Sequence, residues 1–90
     1  MIEGDFEFLR KIRARLLKVS NQMTGELKKA LVGKTIKDIE VLKDSGDIYI
    51  QLATDKGPIV IGATELGVWI DKPERFNELK REMQQTLKNL

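Results

Sequence analysis

Four acids are spaced closely enough to act in pairs, as acid–base catalysis or cation binding would require. Asp44 and Asp47 bracket a turn-forming stretch, and Asp38 and Glu40 alternate just before it. The Asp-x-x-Asp spacing lacks the longer run of acids, glycine and final glutamate of a calcium loop. Paired carboxylates transfer protons usefully only in a cleft, which no pattern here predicts. Turn chemistry is the simpler explanation of Asp44 and Asp47.

The chain has 90 residues and contains neither histidine nor cysteine. The commonest general base and the commonest zinc ligand are therefore missing, and disulfides and thiolate-bound metals are excluded. Gly33-Lys34-Thr35 matches the end of a Walker phosphate loop, but the earlier glycine is absent and the order is helix to strand. We therefore predict a protein that is not an enzyme and that holds no cofactor and no metal.

Basic residues are concentrated in one segment, although the net charge is only +2. Residues 10–34 carry eight lysines and arginines and one acid. In a helix, five of these cations would cover the solvent side: Arg10, Lys11 and Lys18 lie opposite the apolar residues, and Arg13 and Arg15 flank them. We call these five residues the basic strip and predict that they bind the phosphates of a nucleic acid. No interleaved aromatic residue or RNA-binding motif accompanies the strip. The alternative is that these cations solvate the helix and pair with acids from the second half.

Residues 5–31 are predicted to form the helix that positions this strip. Apolar residues recur at alternating spacings of three and four along one helical face: Leu9, Ile12, Leu16, Val19 and Met23. The weak helix formers of residues 20–25 leave two alternatives, one long helix bent near Gly25 or two shorter helices. Gly33 is predicted to end the helical segment.

The length of this helix predicts self-association. A helix over residues 5–31 would be roughly 40 Å long, which is more than a domain of this size can cover. Part of the apolar stripe would then need a second chain, and a homodimer through the five stripe residues follows. The alternative use of the stripe is packing against the chain's own sheet, because its heptad-like pattern is shorter than that of a sustained coiled coil.

The middle of the chain predicts a four-stranded antiparallel meander, with strands near residues 34–43, 48–53, 59–63 and 68–70. A bulge near Lys37 would return Ile36 to the face of Ile39 and Val41. The third strand, Ile59-Val60-Ile61, is apolar on both faces, so it should be either central in the sheet or covered on both sides. The connections are too short for parallel crossovers.

A C-terminal helix should begin at Pro73, with a stripe that runs from Phe76 to Leu90. The sequence therefore predicts one α+β domain over residues 1–90: an N-terminal helix, a β-meander and a C-terminal helix. The stretch from Trp69 into Pro73 and Phe76 resembles the last strand and closing helix of pleckstrin-homology-like domains. That barrel has more strands and lacks the N-terminal helix, so the resemblance implies no functional residue.

The sequence favours a small cytoplasmic interaction or adaptor protein. Its first residues are acidic before they are apolar, unlike a signal peptide, and no apolar run approaches the roughly 18 residues of a membrane span. We predict a homodimer that presents a sheet face or edge to a protein partner. Nucleic-acid binding by the basic strip is the alternative, and no membrane partner is expected.

Overall fold

The structure is a computed structural model that describes residues 3–90, with side chains from Phe6 onward. Six elements follow in order: α1 (Glu3–Leu31), β1 (Ile36–Asp44), β2 (Asp47–Thr54), β3 (Gly57–Thr64), β4 (Gly67–Asp71) and α2 (Pro73–Lys88). The strands form one antiparallel sheet in the order β1-β2-β3-β4. The predicted α+β class and the meander between two helices are confirmed.

The N-terminal segment is a single helix that continues through Gly25. The Thr24 hydroxyl donates a hydrogen bond of 2.9 Å to the Ser20 carbonyl one turn earlier, so its polar group is bonded within the helix. The helix ends where Gly33 takes a φ of 84°, a left-handed conformation that glycine adopts without steric cost. Of the two alternatives, one long helix is confirmed.

The predicted bulge lies in β1. Ile36 pairs with Thr54 and Asp38 pairs with Ala53, so Lys37 is the extra residue. Because side chains alternate along a strand, the bulge places Ile36 on the same face as Ile39.

The first face of the sheet carries the core, which α2 covers. Tyr49 of β2 is next to Gly62 of β3, which is next to Trp69 of β4. Phe76 of α2 packs with Tyr49 and Val60, and its side chain is almost fully buried. Leu42, Trp69 and Leu79 complete this cluster. This cluster is small and lies on the first face, whereas Leu52, also buried, lies on the opposite face.

The second face carries aliphatic residues from all four strands, with Lys43 and Thr54 also on it. Two register rows show this: Ile39, Leu52 and Ile59 in one, and Val41, Ile50, Ile61 and Ile70 in the next. On this face Leu52 is buried, whereas Ile39 and Val41 at the β1 edge are exposed. The second face is thus only partly covered.

Candidate self-association surface

The stripe of α1 divides into two parts with different surroundings. In the C-terminal part Met23, Leu27 and Leu31 are half-buried, and α1 packs against β4. The Met23 sulfur lies 3.3 Å from the Val68 backbone nitrogen, beside Gly67. Met23, the last of the predicted self-association residues, therefore contacts its own chain.

The other part of α1, which we call the arm (residues 6–22), is exposed on nearly every side. Of the predicted self-association residues it carries, Leu9 is 43% exposed, Leu16 60% and Val19 46%. Ile12 is half-buried. Phe8 and Leu17 add further exposed apolar surface. Single exposed apolar residues are ordinary, but a continuous apolar surface of this kind marks an interaction site.

A second uncovered surface lies on the sheet, and we call it the apolar patch (Ile36, Ile39, Val41 and Ile48). The three β1 residues are 55%, 58% and 56% exposed, and Ile48 is 39% exposed. All four side chains lie on the second face. Sequence reasoning placed Ile36, Ile39 and Val41 on one face of the sheet but did not identify them as an uncovered surface. Its one signal was the two-sided apolar third strand, which raised the question of what covers the second face.

The dimensions of the chain agree with this exposure. The radius of gyration is 17.9 Å, whereas a compact domain of this length would have about 12 Å. The principal extents are 57 × 39 × 16 Å, so the molecule is thin in one direction. Its accessible surface is 7463 Å², and a compact monomer of its mass would expose roughly 5,400 Å².

The five cations of the basic strip, Arg10, Lys11, Arg13, Arg15 and Lys18, are all exposed on the arm. Arg10 pairs with Glu7 of the same helix at 3.7 Å and lies over the Phe6 ring, 5.3 Å from its centroid. Among the side chains that the structure describes, the other four cations make no ion pair. Among the described side chains, none of the five strip cations pairs with an acid of the second half of the chain, while Glu40 pairs with Lys80 at 2.7 Å and Asp71 with Arg75 at 3.5 Å.

The acids weighed for chemistry are not brought together in a cleft. Asp38 accepts a hydrogen bond from the adjacent Ile39 amide, and Glu40 forms the ion pair with Lys80. Asp44 lies opposite Asp47 in the strand register across the β1–β2 turn. It borders a shallow hollow beside α2. Among the side chains from Phe6 onward, no group of three or more acids is arranged to hold a metal ion.

The carboxyl group of Asp71 has a perturbed pKa and an evident structural role. Burial raises the pKa of Asp71, but the Trp69 indole N–H, the Lys72 amide and the Arg75 guanidinium favour its charged form and bring the pKa below its ordinary value. Because these contacts fix the junction of β4 and α2, we assign Asp71 to the fold.

Comparison of the chain with known protein families, curated proteins and solved structures gives no match in any of the three. Neither described helix is long and apolar enough to cross a membrane. The functional argument therefore depends on the chain's own surfaces.

Proposed function

We propose that the protein is a small, non-enzymatic interaction protein that works as a homodimer assembled through α1. The observation that carries this proposal is the exposed stripe of the arm, with Leu9, Leu16 and Val19 uncovered while the same stripe further along α1 is half-buried. Burial of apolar surface is the dominant favourable term in protein association. Two copies can cover each other's stripe, which one copy does not do alone.

Light scattering over a wide concentration range tests this proposal. We expect twice the chain mass of 10.3 kDa for the wild type and the monomer mass for Leu16→Glu, which places a charge in the stripe. Ala14→Glu is the matched control, because it adds the same charge on the solvent side of the same helix. A wild-type chain that stays monomeric at every concentration would overturn the proposal.

In this proposal the dimer acts as an adaptor in the cytoplasm, a compartment that the cysteine-free composition favours. The edge of β1 is the surface that we assign to a protein partner, because β1 is an outer strand and can accept an added extended segment. Amide chemical shifts of residues 36–44 should change when the partner is added. Unchanged shifts there would contradict this assignment.

A second function, nucleic-acid binding, is favoured by the four strip cations that make no ion pair among the described side chains. Phosphate contacts release counterions, so affinity for mixed-sequence DNA or RNA should fall steeply between about 50 and 200 mM salt. Lys11→Glu combined with Lys18→Glu should weaken binding, whereas Lys56→Glu in an exposed turn should not. Absence of binding at the lower salt concentration would end this alternative.

A further inference from the structure

We infer that, in the dimer, the arm of each chain lies across the apolar patch of the other chain's sheet, so that the two chains exchange arms. The inference rests on the proposed self-association and names the surface that the stripe covers. The patch and the arm are two uncovered apolar surfaces among the described residues, and each chain has one of each. A two-fold dimer therefore pairs both arms with both patches.

Helix-on-sheet packing is already the way this stripe is used within one chain. Met23 and Leu27 continue the face of Leu9 and Leu16, and they are half-buried where α1 packs against β4. Aliphatic residues from all four strands lie on the second face of the sheet. The arm in the partner's patch would extend the same kind of contact to the uncovered part of that face.

The arm and the patch have matching lengths. From Leu9 to Val19 the helix rises about 15 Å. Because Lys37 is the extra residue of the bulge, Ile36 to Val41 covers the length of Thr54 to Ile50 on β2, about 13 Å. One arm is therefore long enough to cover the exposed β1 residues of a partner.

Charge argues against the other way to cover the stripe, which is a helix–helix dimer. With Leu9 and Leu16 in the a positions of a heptad, Arg13 and Arg15 fall in the flanking e and g positions. No acid occurs between Phe8 and Gly25 to pair with them across such a seam. A helix–helix dimer would thus place unpaired cations along both sides of its contact, whereas the four residues of the patch are neutral and Lys43 lies beside them on the same face.

The surface area fits an extensive dimer. The chain exposes about 2,000 Å² more than a compact monomer of its mass. A stable interface commonly buries about 800 Å² from each partner, and obligate dimers bury more. If two arm–patch contacts bury this excess surface, the area buried from each chain is in the range of obligate dimers.

A mixing experiment distinguishes this arrangement from other dimers. The arm variant is Leu16→Glu and the patch variant is Val41→Lys; both side chains are more than half exposed, so each chain should keep its fold. Ala14→Glu and Ala53→Lys add the same charges on opposite surfaces and serve as controls. Circular dichroism and Trp69 fluorescence verify that the variants are folded, and analytical ultracentrifugation measures mass.

We expect each variant alone to be monomeric, both controls to remain dimeric, and an equimolar mixture of the two variants to form a heterodimer. The heterodimer keeps one intact contact, between the unchanged arm of the patch variant and the unchanged patch of the arm variant. A patch variant that still dimerises by itself would overturn the inference in favour of a helix–helix dimer. An arm variant that still dimerises would overturn it in favour of pairing between sheets.

The experiment separates this inference from the proposed function. A monomeric wild type overturns both. A dimeric wild type whose two variants are monomeric but form no heterodimer overturns the arm exchange alone. A second readout uses the absence of native cysteine: Leu16→Cys chains mixed with Val41→Cys chains should form a disulfide-linked heterodimer on oxidation, and linkage only between identical chains would contradict the exchange.

Discussion

The Trp69 indole lies directly over Gly62 on the neighbouring strand. A Cβ atom at position 62 would lie 2.3 Å from the Trp69 Cε2 atom, closer than non-bonded atoms can approach. The space left by this glycine also lets the indole meet the Tyr49 ring edge-on, with ring centroids 6.2 Å apart and an interplanar angle of 84°. Gly62 is therefore a packing requirement of the first face.

Gly62→Ala should destabilise the fold, because the indole must leave its position or the strands must separate. Overpacking of this kind costs about 1–3 kcal/mol. Urea unfolding followed by Trp69 fluorescence measures the loss and should also show a changed native spectrum. Gly46→Ala is the matched control, since an added Cβ there meets no atom within 4 Å. Equal stability of the two variants would contradict the packing argument.

A second prediction concerns acid stability at Asp71, whose side chain is only 13% exposed. Its pKa in the folded chain is below the ordinary value of 3.8. A depressed pKa contributes stability that is complete above the unfolded value and is lost as the pH falls through the folded value. The wild type should therefore lose stability below about pH 4 more steeply than Asp71→Asn.

Trp69 reports on this change directly, because its indole nitrogen donates to the Asp71 carboxylate at 2.9 Å. Denaturant titrations at a series of pH values, read by fluorescence, measure the effect. Glu65→Gln removes the same charge in the exposed β3–β4 turn. This variant should lose stability at low pH as steeply as the wild type does. A wild-type profile that matches that of Asp71→Asn would exclude the role of the carboxylate.

A third prediction concerns the glycines at the middle and the end of α1. Gly25 lies inside the helix with open space around it, so Gly25→Ala should stabilise α1 by about 0.5–1 kcal/mol. Gly33 has a left-handed φ of 84°, so Gly33→Ala should destabilise by about 1–2 kcal/mol although its surroundings are also open. Thermal unfolding by circular dichroism compares the two, and effects of the same sign would contradict the backbone argument.

How far sequence reasoning reaches is clear from particular residues. The bulge at Lys37 follows from the sequence because only an extra residue returns Ile36 to the face of Ile39. The continuity of α1 does not follow from the sequence. The residues near Gly25 have poor helix propensity, whereas the apolar stripe continues through them, and tertiary packing decides between these two signals. The contact of Trp69 with Gly62 depends on the register of two strands, which local pattern alone does not specify.

For the candidate self-association surface, too, some features follow from the sequence and others do not. Helical periodicity identified the stripe residues of the arm, because spacing alone places them on one face. It did not show that Met23 contacts Val68 whereas Leu16 is exposed. That distinction depends on where the sheet ends relative to α1. The apolar patch was missed for the same reason, since alternation predicts a face but not what covers it.

A fourth prediction tests the small core. Phe76 is 1% exposed and joins Tyr49 and Val60 in the cluster under α2. Phe76→Ala should cost about 3–5 kcal/mol, which is comparable to the whole stability of a small domain. Circular dichroism should show a largely unfolded chain at room temperature. Leu87→Ala changes an exposed position of the same helix and should stay folded. A folded Phe76→Ala would contradict the role of this cluster as the main core.

The last prediction links stability to assembly. If two chains fold into one dimer, unfolding releases two separate chains, so the melting temperature must rise with protein concentration. We expect this dependence for the wild type and for Ala14→Glu over a hundredfold range of concentration. Leu16→Glu should melt at one temperature throughout, because its exposed side chain affects the contact between chains and not the core under α2. A wild-type melting temperature that is independent of concentration would mean that the arm contributes nothing to folding, and the excess surface of the chain would then need a different partner.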